Sequence, residues 1–204
     1  MDPGSAPSAS PVSNGSANGN ELLTLVNSKH PLPSGWKVSL VQLKNGQSID
    51  RRAYAALQDM MDDARRAGLS PLICSSYRTR AKQEELHKNQ VQKFLSEGYS
   101  QSMAEQKASQ WVAPPGTSEH ELGLAVDIVA TDHQLLDETQ EHTPEQKWLM
   151  ENCWKYGFIL RYPTSKSSIT GIGYEPWHYR YVGKDAAKQI MEQGICLEEY
   201  LNQV

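Results

Sequence analysis

The 204-residue sequence predicts an α+β fold: a single domain with a small, mainly antiparallel sheet flanked by helices. Three observations predict it. Short apolar runs of strand length alternate irregularly with longer stretches whose apolar residues recur at helical spacing. These do not follow one another as regular βαβ units, so a parallel, doubly covered sheet is not expected. No internal repeat appears, and the length suits one domain with a real core.

In chain order, "ELLTLVNSKHPLP" opens the ordered part with an apolar run stopped by Pro31 and Pro33. "WKVSLVQL" alternates and reads as a strand. "DRRAYAALQDMMDDARRAGL" is a helix, with Ala53, Leu57, Met60, Met61 and Ala64 at helical spacing, Asp50 as cap and Gly68 as stop. "PLICSS" is a short buried strand leading into a mostly helical, amphipathic stretch from Tyr77 to Val112. "LAVDIV" is a strand, "TPEQKWLMENCWKYGF" a helix and "WHYRYVG" another strand. "KDAAKQIMEQGICLEEYLNQV" closes with helix.

Residues 1–20 hold almost nothing but Ser, Gly, Asn, Ala and Pro. Such a segment buries too little apolar area to offset its ordering entropy and reads as a disordered linker or tail, leaving residues 21–204 as the functional domain. It lacks the basic and apolar regions of a signal peptide, and nothing later is long and apolar enough to span a membrane. A solvated linker in that position suits a chain that continues from an export signal or lipid anchor; an ordinary cytoplasmic tail is the alternative. The net charge of −4 and the scattered 20 Lys and Arg argue against nucleic acid as a partner. Cys74, Cys153 and Cys196 are odd in number and lack C-x-x-C spacing, so a small buried apolar role is expected for each.

The chemistry concentrates in two stretches. In "GTSEHELGLAVDIV" (116–129), His120 sits in a loop rich in Pro and Gly, and Asp127 on a strand. Alternation places Leu124, Val126 and Ile128 on one face and Ala125, Asp127 and Val129 on the other. A buried carboxylate is costly unless paired or bound to a metal, and small Gly123 and Ala125 are expected to leave room beside it. In "GYEPWHYRYVG" (173–183), His178 shares a strand face with Arg180, while Trp177, Tyr179 and Tyr181 fill the opposite, core face. Two imidazole nitrogens and one carboxylate oxygen, with a fourth position open, are what a catalytic zinc needs; other divalent ions fit the same donors. Glu175 stands where Pro176 favours a turn, close enough to act as the base of a zinc hydrolase. The roles are not those of H-E-x-x-H, which lie on one helix. A lone His or Asp near a strand is ordinarily a satisfied polar residue, and H-x-x-G-x-A-x-D alone reads as structure. Joined to E-x-W-H some fifty residues later, the balance reverses.

With these residues in view, the chain resembles the zinc D-alanyl-D-alanine peptidases of the VanY and LAS type. The resemblance rests on "SSYRTRAKQ" (75–83), "SEHELGLAVD" (118–127) and "EPWHYRY" (175–181), in that family's order, with "YGFILRYP" before the last. It implies that His120, Asp127 and His178 bind one zinc ion, that Glu175 is the catalytic base, and that Arg78 binds the substrate's terminal carboxylate, with Gln83 and Ser118 as further contacts. Independently, a guanidinium offers two parallel donors matched to a carboxylate, although a surface helix-start role suits Arg78 equally. Ser118 serves as well for an N-cap, and Gln83 for a solvated helix position. His87 is expected to be exposed, and Tyr156 and Tyr162 are candidates for the cleft wall.

The activity implied is removal of the C-terminal D-alanine from peptidoglycan stem peptides or precursors, by a monomer acting at the cell envelope. An L,D-carboxypeptidase trimming the tetrapeptide and a D-Ala-D-Ala dipeptidase would use the same residues; an L-Ala-D-Glu endopeptidase would not need Arg78. The difference lies in the cleft, set by loops 96–115 and 130–144. A non-catalytic module binding cell-wall peptide is the rival outside enzymes. A structural zinc site normally takes four protein ligands, and three with a spare acid favour catalysis.

Overall fold

The elements run β1 (Leu40–Gln42), β2 (Ser48–Asp50), α1 (Arg51–Arg66), β3 (Pro71–Ser75), α2 (Arg80–Ser96), α3 (Gln101–Ala108), β4 (Ala125–Ala130), α4 (Pro144–Asn152), β5 (Phe158–Leu160), β6 (His178–Tyr181), α5 (Lys184–Gln193) and α6 (Leu197–Leu201). The computed structural model describes residues 21–204, so the linker expected at 1–20 lies outside the described residues. Four strands form an antiparallel sheet in the order β3-β4-β6-β5, and β1 and β2 form a separate antiparallel pair. The α+β expectation with a small antiparallel sheet matches this arrangement.

Helix α1 forms as its spacing predicts. Ala53, Leu57, Met60, Met61 and Ala64 are its buried residues, and Asp50 caps it by accepting from the Arg52 amide at 2.9 Å. Leu57, Met60 and Met61 pack with Leu122, Leu124, Val126 and Ile128 in one apolar cluster that also takes Phe158 and Tyr179. Each such side chain contributes about 1.5–3 kcal/mol by leaving water. Core packing on the Val126/Ile128 face thereby turns Asp127, by the period of two, to the opposite face.

Several boundaries differ from the expected ones. "WKVSLVQL" keeps only Leu40–Gln42 as strand, the part that pairs with Ser48–Asp50, and Trp36 donates its indole N–H to the Leu122 carbonyl at 3.2 Å. The stretch from 77 to 112 divides into α2 and α3, with the Ser100 hydroxyl capping the second. The closing helix divides at Gly194 into α5 and α6. The helix expected over 143–158 ends at Asn152, passes into a 3₁₀ turn at Cys153–Tyr156, and gives way to β5, a strand the sequence reading did not contain. Gly157 makes that turn at φ 86°, where a Cβ would stand 2.9 Å from the Tyr181 ring. Cys153 and Cys196 are buried, Cys74 is half-buried, and all three are free thiols. Among the described residues no helix is long and apolar enough to cross a membrane.

Candidate functional site

Strand register assembles the site. Asp127 on β4 stands opposite His178 on β6 on one side and Ser75 on β3 on the other. Residues directly opposite in an antiparallel pair share a face, so the Asp127 carboxylate and the His178 ring meet across the ladder. His120 arrives from a 3₁₀ turn, Glu119–Leu122, rather than from the open loop expected. The turn ends at Gly123, φ 79°. A Cβ on Gly123 would lie 2.6 Å from Val38 Cγ2 and 3.5 Å from Asp50 Cβ. That glycine therefore serves a left-handed cap and a close approach of Val38, and does not open space beside Asp127 as expected. The turn is tied to the chain leaving β3: the Arg78 amide donates to the His120 carbonyl at 3.2 Å, and His120 Nδ1 lies 2.7 Å from the Ser76 carbonyl.

A carbonyl only accepts, so His120 Nδ1 carries a proton and Nε2 presents its lone pair, 3.3 Å from Asp127 Oδ2. His178 Nδ1 is 3.2 Å from Asp127 Oδ1 and 3.6 Å from Glu175 Oε2. One ligand atom from each of His120, Asp127 and His178 falls within 4.8 Å of the others, and all three residues are buried. The edge-on packing of the two imidazoles, centroids 4.9 Å apart and planes at 88°, fixes both rings.

Electrostatics hold the Asp127 carboxylate ionised. Burial alone would raise the Asp127 carboxyl, but His120, His178 and Arg78 outweigh it and hold it well below the usual range. Burial and then Arg78 push His120 down to about 4. Burial opposes charge on His178 too, yet Asp127, Glu119 and Glu175 carry it up to about 9. Burial pushes Glu175 up to about 8. Asp127 Oδ1 nevertheless has no hydrogen-bond partner although it is buried. Two nitrogens and a carboxylate that converge, one buried oxygen of them orphaned, fit a divalent ion of zinc's preferences, whose binding would displace the proton on His178.

The cluster lines a cleft of about 520 Å³ together with Arg78, Gln83, Ser118, Tyr162 and Glu175. Arg78 is anchored by its Nε donating to Ser75 Oγ at 2.9 Å, Nη1 to Gln83 Oε1 at 3.3 Å and Nη2 to Asp127 Oδ2 at 2.8 Å. Gln83 is 1% exposed and donates to the Ala113 carbonyl at 2.7 Å, so it is no solvated helix residue. Ser118 is buried and makes no side-chain cap. Tyr162 packs on His178 with centroids 4.7 Å apart, whereas Tyr156 lies outside the cleft and donates to Asp63 Oδ2 at 2.5 Å. Trp177, expected in the core opposite His178, lines the cleft. The strand begins only at His178, so alternation does not extend to it. His87 is half-buried rather than exposed, its Nδ1 donating to the Val112 carbonyl at 2.7 Å. Of the two loops expected to shape the cleft, 96–115 contributes Trp111, Val112 and Ala113, and 130–144 contributes Leu136. A residue missed from sequence is Glu119, buried beside His178 Nε2 at 3.5 Å; its one signal was an acid flanking the candidate ligand His120.

An antiparallel sheet carrying a His–Asp–His cluster, with a buried glutamate beside it and a cleft above it, is an arrangement suited to a single-metal hydrolase. The family model for VanY, D-alanyl-D-alanine carboxypeptidase, matches residues 46–184, and the chain belongs to that family. It is 49% identical over 181 residues to a D-alanyl-D-alanine carboxypeptidase of Enterococcus faecalis, covering 88% of this chain and 65% of that protein. The chain thus spans less than two thirds of that relative's length. Among solved structures, a glutamate-to-alanine variant of the vancomycin-resistance D,D-pentapeptidase VanY from a VanB-type cassette, in complex with Zn(II), matches with a TM-score of 0.82 at 48% identity, covering 89% of this chain and 99% of that one. The LdcB LD-carboxypeptidase matches with a TM-score of 0.78 at 38% identity, covering 92% and 89%.

Proposed function

We propose that this chain is a zinc D,D-carboxypeptidase that removes the terminal D-alanine from peptidoglycan stem peptides or their precursors, acting outside the cytoplasm. The observation that carries the reading is the convergence of His120, Asp127 and His178 donors within 4.8 Å, next to Glu175 and in a cleft that Arg78 also lines. Family membership and the zinc in a solved relative support it. His120 Nε2, His178 Nδ1 and the Asp127 carboxylate would hold the ion. Zinc, when bound there, acidifies water and stabilises the oxyanion that develops on the scissile carbonyl.

The chain's own groups supply the rest. Glu175 takes a proton from the attacking water at Oε2 and returns it to the leaving amine. Its burial keeps that proton from bulk solvent. Arg78 recognises the terminal carboxylate: its guanidinium has five N–H donors, of which the three contacts within the protein leave two for substrate. Holding the carboxylate there sets register, so that the last peptide bond is presented beside Glu175. Residues 21–204 would form the catalytic domain.

Replacing Arg78 by Ala is expected to lower kcat/KM on a peptide acid by about 10- to 100-fold, the range for lost charge-assisted hydrogen bonds, while a C-terminal amide changes little. Equal losses on acid and amide would refute carboxylate recognition. The deciding assay for the activity offers pentapeptide, tetrapeptide and D-Ala-D-Ala side by side, with products identified by mass. Pentapeptide is expected to lose one D-alanine fastest. Preference for tetrapeptide would assign the chain to L,D-cleavage, and release from none of them would end the hydrolase reading.

A further inference from the structure

One carboxylate near the cluster has no part in the reaction just described. Glu119 belongs to the same 3₁₀ turn as His120 and is 1% exposed. Its Oε1 accepts from both Arg161 Nε at 2.7 Å and Arg180 Nη1 at 2.8 Å. Its Oε2 has no hydrogen-bond partner and faces His178 Nε2, equally unpartnered, at 3.5 Å. Both arginines are themselves wholly buried and fixed from elsewhere. Arg161 donates from Nη1 and Nη2 to Glu198 on α6 at 2.8 and 2.7 Å. Arg180 Nη2 donates to the carbonyls of Leu22 and Thr24 at 2.8 and 3.0 Å.

The hydrogen bonds from the two arginines use only Oε1. The geometry leaves the second oxygen without a hydrogen-bond partner, 3.5 Å from an imidazole nitrogen that also lacks one. We propose that Glu119 is a positioning residue: it accepts the Nε2–H of His178 and so holds Nδ1, lone pair free, toward Asp127 and the metal. An ionised carboxylate only accepts, so it forces the proton onto Nε2. The two buried guanidinium groups that donate to Oε1 at 2.7 and 2.8 Å supply the positive charge that a buried carboxylate needs. The two guanidinium groups thus act on the metal through Glu119 and then His178. Carboxylate partners of ligating imidazoles are generally worth 10- to 100-fold in metal affinity. This inference rests on the zinc reading above.

The test is zinc affinity of the full chain, by competition with a chromophoric chelator, for the parent and for Glu119→Gln. The glutamine can offer its amide N–H to His178 Nε2, which moves the ring proton to Nδ1. Affinity is expected to fall 10- to 100-fold, with a changed absorption spectrum in the Co(II)-loaded protein. An affinity within twofold of the parent with the parental Co(II) spectrum overturns the proposal, even if the variant melts earlier, because a merely structural role would move only the melt. Should Glu119→Gln fail to fold, nitrogen NMR of ¹⁵N-histidine parent loaded with zinc decides: a protected, downfield Nε2–H on His178 is expected, and zinc on Nε2 overturns it. A parent that binds no zinc at all overturns the proposed function itself; a parent that binds with an unaffected variant overturns only the role of Glu119.

Discussion

Glu175→Ala is expected to lower D-alanine release by about 10²- to 10⁴-fold, the range for removing a general acid–base group, while zinc affinity stays within a few-fold of the parent. The expectation follows from where the carboxyl sits. Glu175 precedes β6, its amide donates to the Tyr162 carbonyl at 3.2 Å, and its Oε2 is 3.6 Å from His178 Nδ1. It is close to the cluster yet is not among the three residues whose donors converge. Burial pushes it up to about 8, and a dication held beside it would draw it back down, toward the range that a group serving first as base and then as acid requires. Glu175→Gln keeps the shape and is expected to lose as much activity. Parental turnover in either variant would remove Glu175 from the mechanism; loss of zinc from both would make it a ligand instead.

Much of this site was legible because its residues depend on local rules. Asp127 lies on a strand whose apolar alternation is plain, and the small-residue and Trp-His motifs around it are contiguous. Helix α1 was legible for the same reason: five buried positions at one spacing, a cap and a stop. What escaped depends on partners distant in sequence. β5 is three residues long and follows "CWKY", whose apolar spacing continues that of α4; only Gly157 breaks it, and only pairing with β6 makes it a strand. "SEHEL" belongs to the stretch expected as a loop, yet Glu119 is buried because arginines 42 and 61 residues further on converge on it. No periodicity encodes that convergence. The Arg161 of "FILRYP" and the Glu198 of "CLEEY" likewise look like surface charges until the fold closes over them.

That closure makes Arg161→Met the change with the largest expected effect on stability. Arg161 is wholly buried, bonded through Nε to Glu119 and through both terminal nitrogens to Glu198, with its guanidinium 4.9 Å from the Tyr162 ring centroid. Removing one partner of a buried ion pair leaves uncompensated charge and costs about 3–5 kcal/mol, out of a typical total of about 5–15 kcal/mol. The sign of the pH dependence identifies the cause. In the parent, Arg161 keeps Glu119 and Glu198 below the ordinary carboxylate range, against the opposing effect of burial. Their contribution is therefore present above the unfolded value of roughly 4.3 and declines only as pH falls through the lower folded values. Without Arg161, burial dominates at Glu198 and raises it, so the variant is penalised at neutral pH and relieved by protonation in acid. Urea unfolding is expected to show a parent–variant gap of about 3–5 kcal/mol at neutral pH that narrows toward pH 4. Adding Glu198→Leu should restore part of the loss, since an apolar pair of similar volume is often as stable as the buried ion pair it replaces. A gap that is small, or that does not shrink in acid, would show that the arginine acts through packing against Tyr162 rather than through the two carboxylates.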